Sequence, residues 1–165
     1  MASDSPEEAY IVLQRHPSPE HYYELRKLAH LTPPPIEAVP QALVGSWVSF
    51  VAFLRADMVD EKTPSPAQRA VAMGRLIGDG ALFLQIVDMA VHPDHQRKGL
   101  GKRIMNKLIG YVDDHAPHAY VSLVADPPGR RLYPQFGFED VKPSLGMYRC
   151  LRMQKDTNPK MTLAD

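Results

Sequence analysis

Gln85-Ile-Val-Asp-Met-Ala-Val-His-Pro-Asp-His-Gln-Arg-Lys-Gly-Leu-Gly-Lys102 is the stretch from which the rest of the chain can be read. With Ala81–Leu84 before it, its first half is an apolar, β-prone run interrupted by Gln85 and Asp88, and Pro93 opens a loop after it. Gly99 and Gly101 then stand where apolar residues begin to recur at helical spacing, at Leu100, Ile104, Leu108 and Tyr111, with Met105, Ile109 and Val112 beside them. That stripe predicts an amphipathic helix over 99–115. Amides in a helix's first turn lack intrahelical acceptors, and with the positive end of the helix dipole they form an anion site. Glycine lets a phosphate approach with no Cβ in the way. Arg97, Lys98, Lys102, Arg103 and Lys107 add positive charge, and residues 95–107 contain no acid. These features point to the binding of a pyrophosphate.

Ala119–Val124, apolar on both faces, reads as a central strand. Strand, helix and strand over 81–124 predict a right-handed parallel crossover in an otherwise antiparallel sheet. Upstream, Tyr10–Leu13, Trp47–Arg55 and Ala70–Ile77 read as strands, and Gly78-Asp-Gly80 as a tight hairpin. Ser18-Pro19-Glu20 marks a helix start, with the helix running to Ala29 until Leu31-Thr-Pro-Pro-Pro35 stops it. A short helix is expected near Pro40–Val44, and Asp57–Gln68 as an exposed connection. Downstream, Pro127-Pro128 introduces a short helix to Gln135, and Phe138–Val141 and Met147–Leu151 are expected as a closing pair of strands.

Composition narrows the field of functions. The 165 residues suit one domain, expected over 1–154, with a flexible tail over 155–165. Nineteen basic side chains balance nineteen acidic ones, so no global charge excess favours nucleic acid. The lone Cys150 forbids an internal disulfide and a cysteine-based zinc site. His92-x-x-His95 and His115-x-x-His118 each contain a proline that breaks ligand alignment, and no metal is expected. The acidic N-terminus reads as no export signal, and no run is long enough to span a bilayer, so a cytoplasmic setting is expected, the nucleus not being distinguished. The sixteen prolines follow no repeat and read as punctuation between elements.

The spacing Gln96-x-x-Gly99-x-Gly101 is neither the dinucleotide-fold pattern nor that of a P-loop. The run Val87-Asp-Met-Ala-Val-His-Pro-Asp-His-Gln-Arg-Lys-Gly-Leu-Gly101 resembles the acetyl-CoA motif of the GNAT N-acetyltransferase superfamily. Leu132-Tyr-Pro-Gln-Phe-Gly-Phe138 resembles that family's second signature, L-Y-x-x-x-G-F, in the right order and at a normal spacing. The chain before residue 81 matches only in its order of elements. The resemblance implies an α/β (α+β) GNAT fold. Its single mixed, mostly antiparallel sheet would have about six or seven strands flanked by helices, with a splay between the strands at 81–91 and 119–125.

The resemblance also implies an acetyl-CoA-dependent N-acetyltransferase. Its cofactor would lie along Met89, Ala90 and Val91, with its pyrophosphate on Gln96, Arg97, Lys98, Gly99, Leu100, Gly101 and Lys102. An amide at Met89 or Val91 would polarise the thioester carbonyl, and Tyr133 would be the general acid toward the thiolate. Gln85 stands where some members carry a catalytic glutamate and cannot serve as a base. Asp88 is the leading candidate, with a buried structural carboxylate as the competing reading, and water relays to Asp88, His30 or Glu24 remain open. With no nucleophile elbow and Cys150 in an expected core strand, direct attack in a ternary complex is favoured over an acyl-enzyme.

The acceptor is expected at the N-terminal part, against His30, Thr32, Pro33, Asp88 and Trp47, although Trp47 taken alone reads as core. A stiff, partly aromatic wall suits a small primary amine. Protein lysine or N-terminal acetylation is the alternative and predicts an open groove. A non-catalytic acyl-CoA sensor is the alternative of another class. No nucleic acid or membrane partner is expected, and a monomer or homodimer would serve.

Overall fold

A computed structural model describes residues 9–65 and 68–151. The N-terminal octapeptide, Pro66 and the expected tail at 155–165 lie outside the described residues. Five strands form one sheet in sequence order: β1 (Tyr10–Gln14), β2 (Val48–Leu54), β3 (Ala72–Gly78), β4 (Phe83–Val91) and β5 (Tyr120–Leu123). All neighbours are antiparallel except β4 and β5, which are parallel and joined through helix α3 (Leu100–His115). Helices α1 (Pro19–Leu28) and α2 (Val39–Val44) complete the fold.

The sheet separates two cores. On one face Val48, Phe50, Ala72, Leu76, Leu84 and Ile86 pack with the α3 stripe Leu100, Ile104, Met105, Leu108 and Val112. On the other, Val51, Phe53 and Met73 pack with Tyr22 and Leu25 of α1 and Val39 and Leu43 of α2. Strand alternation explains this division, because neighbouring β2 residues point to opposite faces. Ser18 caps α1 by accepting the amide of His21, and Pro19 occupies its first turn. The helix ends with His30 at φ 60°, its amide bonded to Lys27 O and that of Leu31 to Arg26 O. Those two bonds make a Schellman closure, a place where glycine is usual and where this chain has a histidine.

The strand β4 changes faces partway along. Its pairing with β3 runs Leu76↔Ile86 and Arg75↔Val87, then resumes at Met73↔Ala90 and Ala72↔Val91. Two residues of β4 therefore oppose the single Gly74, a β-bulge at Asp88 and Met89, with Asp88 at φ 58°. Before the bulge, Leu84 and Ile86 face α3; after it, Ala90 packs in the α1–α2 core while Met89 and Val91 lean on the α3 core. Gly74 makes room for this: a Cβ there would lie 2.6 Å from both Ile104 Cγ2 and Met89 Sδ.

Two expectations need correction. The short helix after Pro127 is two separate 3-10 turns, Pro127–Gly129 and Tyr133–Phe136. The closing strands at 138–141 and 147–151 are not formed: residues 138–150 contain no strand, so the described sheet has five strands rather than six or seven. The turn at Lys142–Ser144 breaks the segment, and Leu145, Met147 and Tyr148 are exposed, so no buried face holds a strand against the four-residue β5. Cys150 accordingly lies outside any strand and is half-exposed. At the other hairpin β4 begins at Phe83, because Asp79 Oδ1 accepts the amides of Ala81, Leu82 and Phe83 and holds them in the turn.

Gly74→Ala is expected to destabilise the fold by about 1–3 kcal/mol, the usual range for overpacking a filled core. Chemical denaturation of the purified variant measures it, and unchanged stability would remove the close approach of α3 and Met89 at Gly74.

Candidate active site

Past Ile86↔Leu123 the parallel pairing ends, while β4 runs on to Val91. The edge of β4 from Val87 to Val91 that would face β5 thus has no strand partner among the described residues. Main-chain groups on such an edge seek partners, and an extended ligand can supply them. This is the expected splay, and Met89, Ala90 and Val91 lie along it.

The loop that follows is held from within. The Gln96 side chain donates to Val91 O at 3.1 Å and Lys98 Nζ to Asp94 O at 3.0 Å. Tyr10 anchors both ends of the loop: its hydroxyl is hydrogen-bonded to His95 Nδ1 at 2.8 Å, and its carbonyl accepts Arg103 Nη2 at 3.1 Å. Burial, followed by the charges of Lys98 and His92, holds the His95 pKa below its usual value. Arg97 and Gly99 have positive φ, 61° and 79°, and Gly99 is the N-cap of α3. Arg103 is the first residue of α3 whose amide returns to the helix, to Gly99 O at 3.0 Å. The amides of Leu100, Gly101 and Lys102 precede it, as the geometry of a helix start requires. A Cβ on Gly99 would meet nothing within 4 Å. Open space at Gly99, the first-turn amides of α3 and an acid-free basic stretch fit a pyrophosphate. Gly101 serves packing instead. Its Cβ would stand 3.4 Å from Leu132 and 4.0 Å from Val91, so the end of β4, the start of α3 and the Leu132 turn converge there.

Tyr133 follows in that turn. It is buried, packs edge-on against Phe138 at 6.3 Å, and lies against Gly129. Its hydroxyl makes no hydrogen bond among the described residues. Burial, with a smaller push from the Asp126 carboxylate, raises the phenol above its ordinary 10.0. The group is therefore a protonated donor at neutral pH.

On the opposite face of the sheet lies Asp88, turned toward α1 by the bulge. Arg26 Nη1 donates to its Oδ1, while Tyr22 Oη at 3.0 Å and Arg75 Nε at 2.6 Å donate to its Oδ2. Arg75 Nη1 reaches on to Ala42 O and Ser46 Oγ, at 2.9 and 2.6 Å. Arg26 Nη2 holds Thr32 O at 2.6 Å. One carboxylate thus joins α1, the proline loop, the end of α2, β3 and β4. Burial and the Asp88 charge, against the two guanidiniums, raise the Tyr22 pKa, so its hydroxyl stays a donor.

The geometry groups the remaining expected residues unevenly. Thr32 is tied to Asp88 through Arg26, and Pro33 adjoins it, whereas His30 ends α1 with an exposed side chain. Trp47 is on the far face: it packs on Tyr111 and His115 of α3, at 5.0 and 6.5 Å, and closes over Gly80. It is not brought to Asp88. The sequence places Tyr22 near the acceptor wall but does not show its bond to Asp88, and Arg26 and Arg75 escape it altogether. One signal was available for Arg75, a single charge inside an otherwise apolar strand, which demands a buried counter-charge.

Comparison with known proteins bears on the family and the fold. A family model described as an acetyltransferase (GNAT) domain matches residues 53–140. The fold is similar to a probable acetyltransferase from meticillin-resistant Staphylococcus aureus, at 34% identity and a TM-score of 0.72, covering 86% of this chain and 98% of that one. It is also similar to the Escherichia coli ribosomal-protein-S18-alanine N-acetyltransferase, at 17% identity, TM-score 0.60 and coverage of 81% and 79%. Glucosamine-6-phosphate N-acetyltransferase from Arabidopsis thaliana is alike in fold at 14% identity, TM-score 0.59 and coverage of 84% and 97%. No curated protein matches the chain. The chain belongs to the GNAT acetyltransferase family and is an N-acyltransferase. No helix among the described residues is long and apolar enough to cross a membrane.

Asp88→Asn is expected to cost about 3–5 kcal/mol of stability, because it leaves two largely buried guanidiniums without their charge partner. A denaturant melt checks this, and a loss under about 1 kcal/mol would mean that the ion cluster is not holding these elements together.

Proposed function

We propose that this acyltransferase moves the acetyl group of acetyl-CoA to the primary amine of a small molecule, by direct attack while both are bound. The observation that carries the reading is the junction at Gly101, where the splayed end of β4, the open helix start at Gly99 and the Leu132–Tyr133 turn meet. When bound, acetyl-CoA supplies a thioester already activated toward amines. The amides from Arg97 to Lys102 hold its pyrophosphate, and the free edge at Met89, Ala90 and Val91 holds its extended arm. An amide at Met89 or Val91 donates to the carbonyl oxygen as negative charge develops there. Tyr133 gives its proton to the departing sulfur. Asp88 orients the acceptor side, its oxygens already engaged by three donors, and the proton lost by the amine passes to water. His30, Thr32 and Pro33 border the acceptor. The Arg26 tether from Thr32 to Asp88 favours a bounded pocket, hence a small amine, over the open groove that a peptide would need.

The test is acetyl-CoA turnover against a panel of amines. Tight CoA binding with no turnover on any amine would favour a sensor and sink the enzyme reading. Tyr133→Phe is expected to lower kcat about 10²–10⁴-fold with CoA affinity kept. The acid acts while protonated and its pKa is raised, so its activity limb in the wild type falls only above pH 10.0, and Tyr133→Phe removes that limb. Wild-type kcat in the variant would refute the assignment.

Gly99→Glu is expected to raise the CoA Kd about tenfold or more. Gly99→Ala carries the same backbone strain, about 1–2 kcal/mol at this left-handed position, without the charge. Equal CoA affinity in the two variants, measured by calorimetry, would remove the phosphate-loop assignment.

A further inference from the structure

Arg26 and Arg75 both pair with Asp88, and the side chains are 17%, 7% and 4% exposed respectively. Their other partners are neutral: Thr32 O, Ala42 O, Ser46 Oγ and the Tyr22 ring, which lies 5.9 and 5.5 Å from the two guanidinium carbons. Two cations against one anion leave the cluster with an excess positive charge where little water reaches. His16, bonded to Ser49 opposite Arg75 in the sheet, has its pKa lowered by burial and then by the Arg75 charge. Arg26 Nε is buried and has no hydrogen-bond partner among the described residues. The neighbourhood offers little to offset it. Glu24 is engaged by Arg69, and Glu37, which is exposed, is the only acid from Ala29 to Gly45.

We infer that the amine acceptor also carries an anionic group, a carboxylate or a phosphate, which binds against Arg26 at the Thr32 loop. The inference rests on the acetyl-transfer reading above. An uncompensated charge in a weakly hydrated setting attracts a counter-ion strongly, because little solvent screens it. The same field opposes polyamines and lysine-rich peptides, whose additional ammonium groups would have to approach two guanidiniums. The acceptor is thus an amine at one end and an anion at the other, and the cluster reads the anionic end.

Matched pairs test this: aminomethylbenzoate against benzylamine, and phosphoethanolamine against ethanolamine. Each is titrated by calorimetry into the CoA-saturated protein, with turnover followed separately. The anionic member is expected to bind about tenfold or more tightly than its neutral counterpart. Arg26→Gln is expected to erase the difference and Arg26→Lys to keep it. Thr32→Glu, at an exposed side chain that leaves the main-chain bond to Arg26 in place, is also expected to erase it and serves if Arg26→Gln does not fold. Equal binding of both members, binding of neither, or a preference that survives both Arg26→Gln and Thr32→Glu would overturn the inference. Selective binding with no turnover would count against the acetyl-transfer reading alone and leave the anion site standing.

Discussion

A carboxylate with three donors around it decides how the two faces of this sheet relate. Asp88 sits at φ 58° in the bulge of β4, a conformation that non-glycine residues adopt only when their surroundings hold them. Tyr22, Arg26 and Arg75 supply that hold. Remove the carboxylate and two guanidiniums lose their partner. Remove the bulge and Asp88 faces the α3 core, away from Tyr22, Arg26 and Arg75. The ion cluster and the backbone irregularity therefore require one another. Through Arg26 and Arg75 they also position the proline loop and the end of α2.

The readable parts of the sequence are those governed by local rules. The α3 stripe, the Ser18-Pro19 start and the glycines before α3 appear close to where they are expected, because helix periodicity, capping and positive φ are decided within a few residues. Parallel pairing of β4 with β5 follows from the helix between them. What escapes depends on distance. Tyr22 and Arg26 lie 66 and 62 positions from Asp88, and no periodicity marks residues that meet across such a span. Nearness in sequence groups Trp47 with the acceptor wall, yet this residue just before β2 packs on the α3 side. The closing strands fail for another reason: apolar content at 138–151 suggests pairing, but alternation alone does not bury a segment.

The two ends of the site differ electrostatically despite sharing a sign. At the start of α3 the positive potential comes from main-chain donors and flexible, exposed side chains, some of them, like Lys98, turned back on the loop. Salt screens such charges readily. Beneath the proline loop it comes from guanidiniums fixed by hydrogen bonds and largely withdrawn from solvent. A chain with zero net charge thus holds, among its described residues, a diffuse cationic region and a rigid one.

The extra residue in β4 has a consequence for divergence within such a fold. It works as a phase shift: the same insertion that delivers Asp88 to one face delivers Met89 and Val91 to the other, where Gly101 and Leu132 gather. A change of strand register on the Asp88 face would therefore disturb the Met89–Val91 face in the same stroke. Change on that face is channelled away from the strand and into α1, whose Tyr22 and Arg26 reach Asp88 by side chains, while the loop and α2 are tied to the cluster through the main-chain carbonyls of Thr32 and Ala42, which a substitution leaves in place.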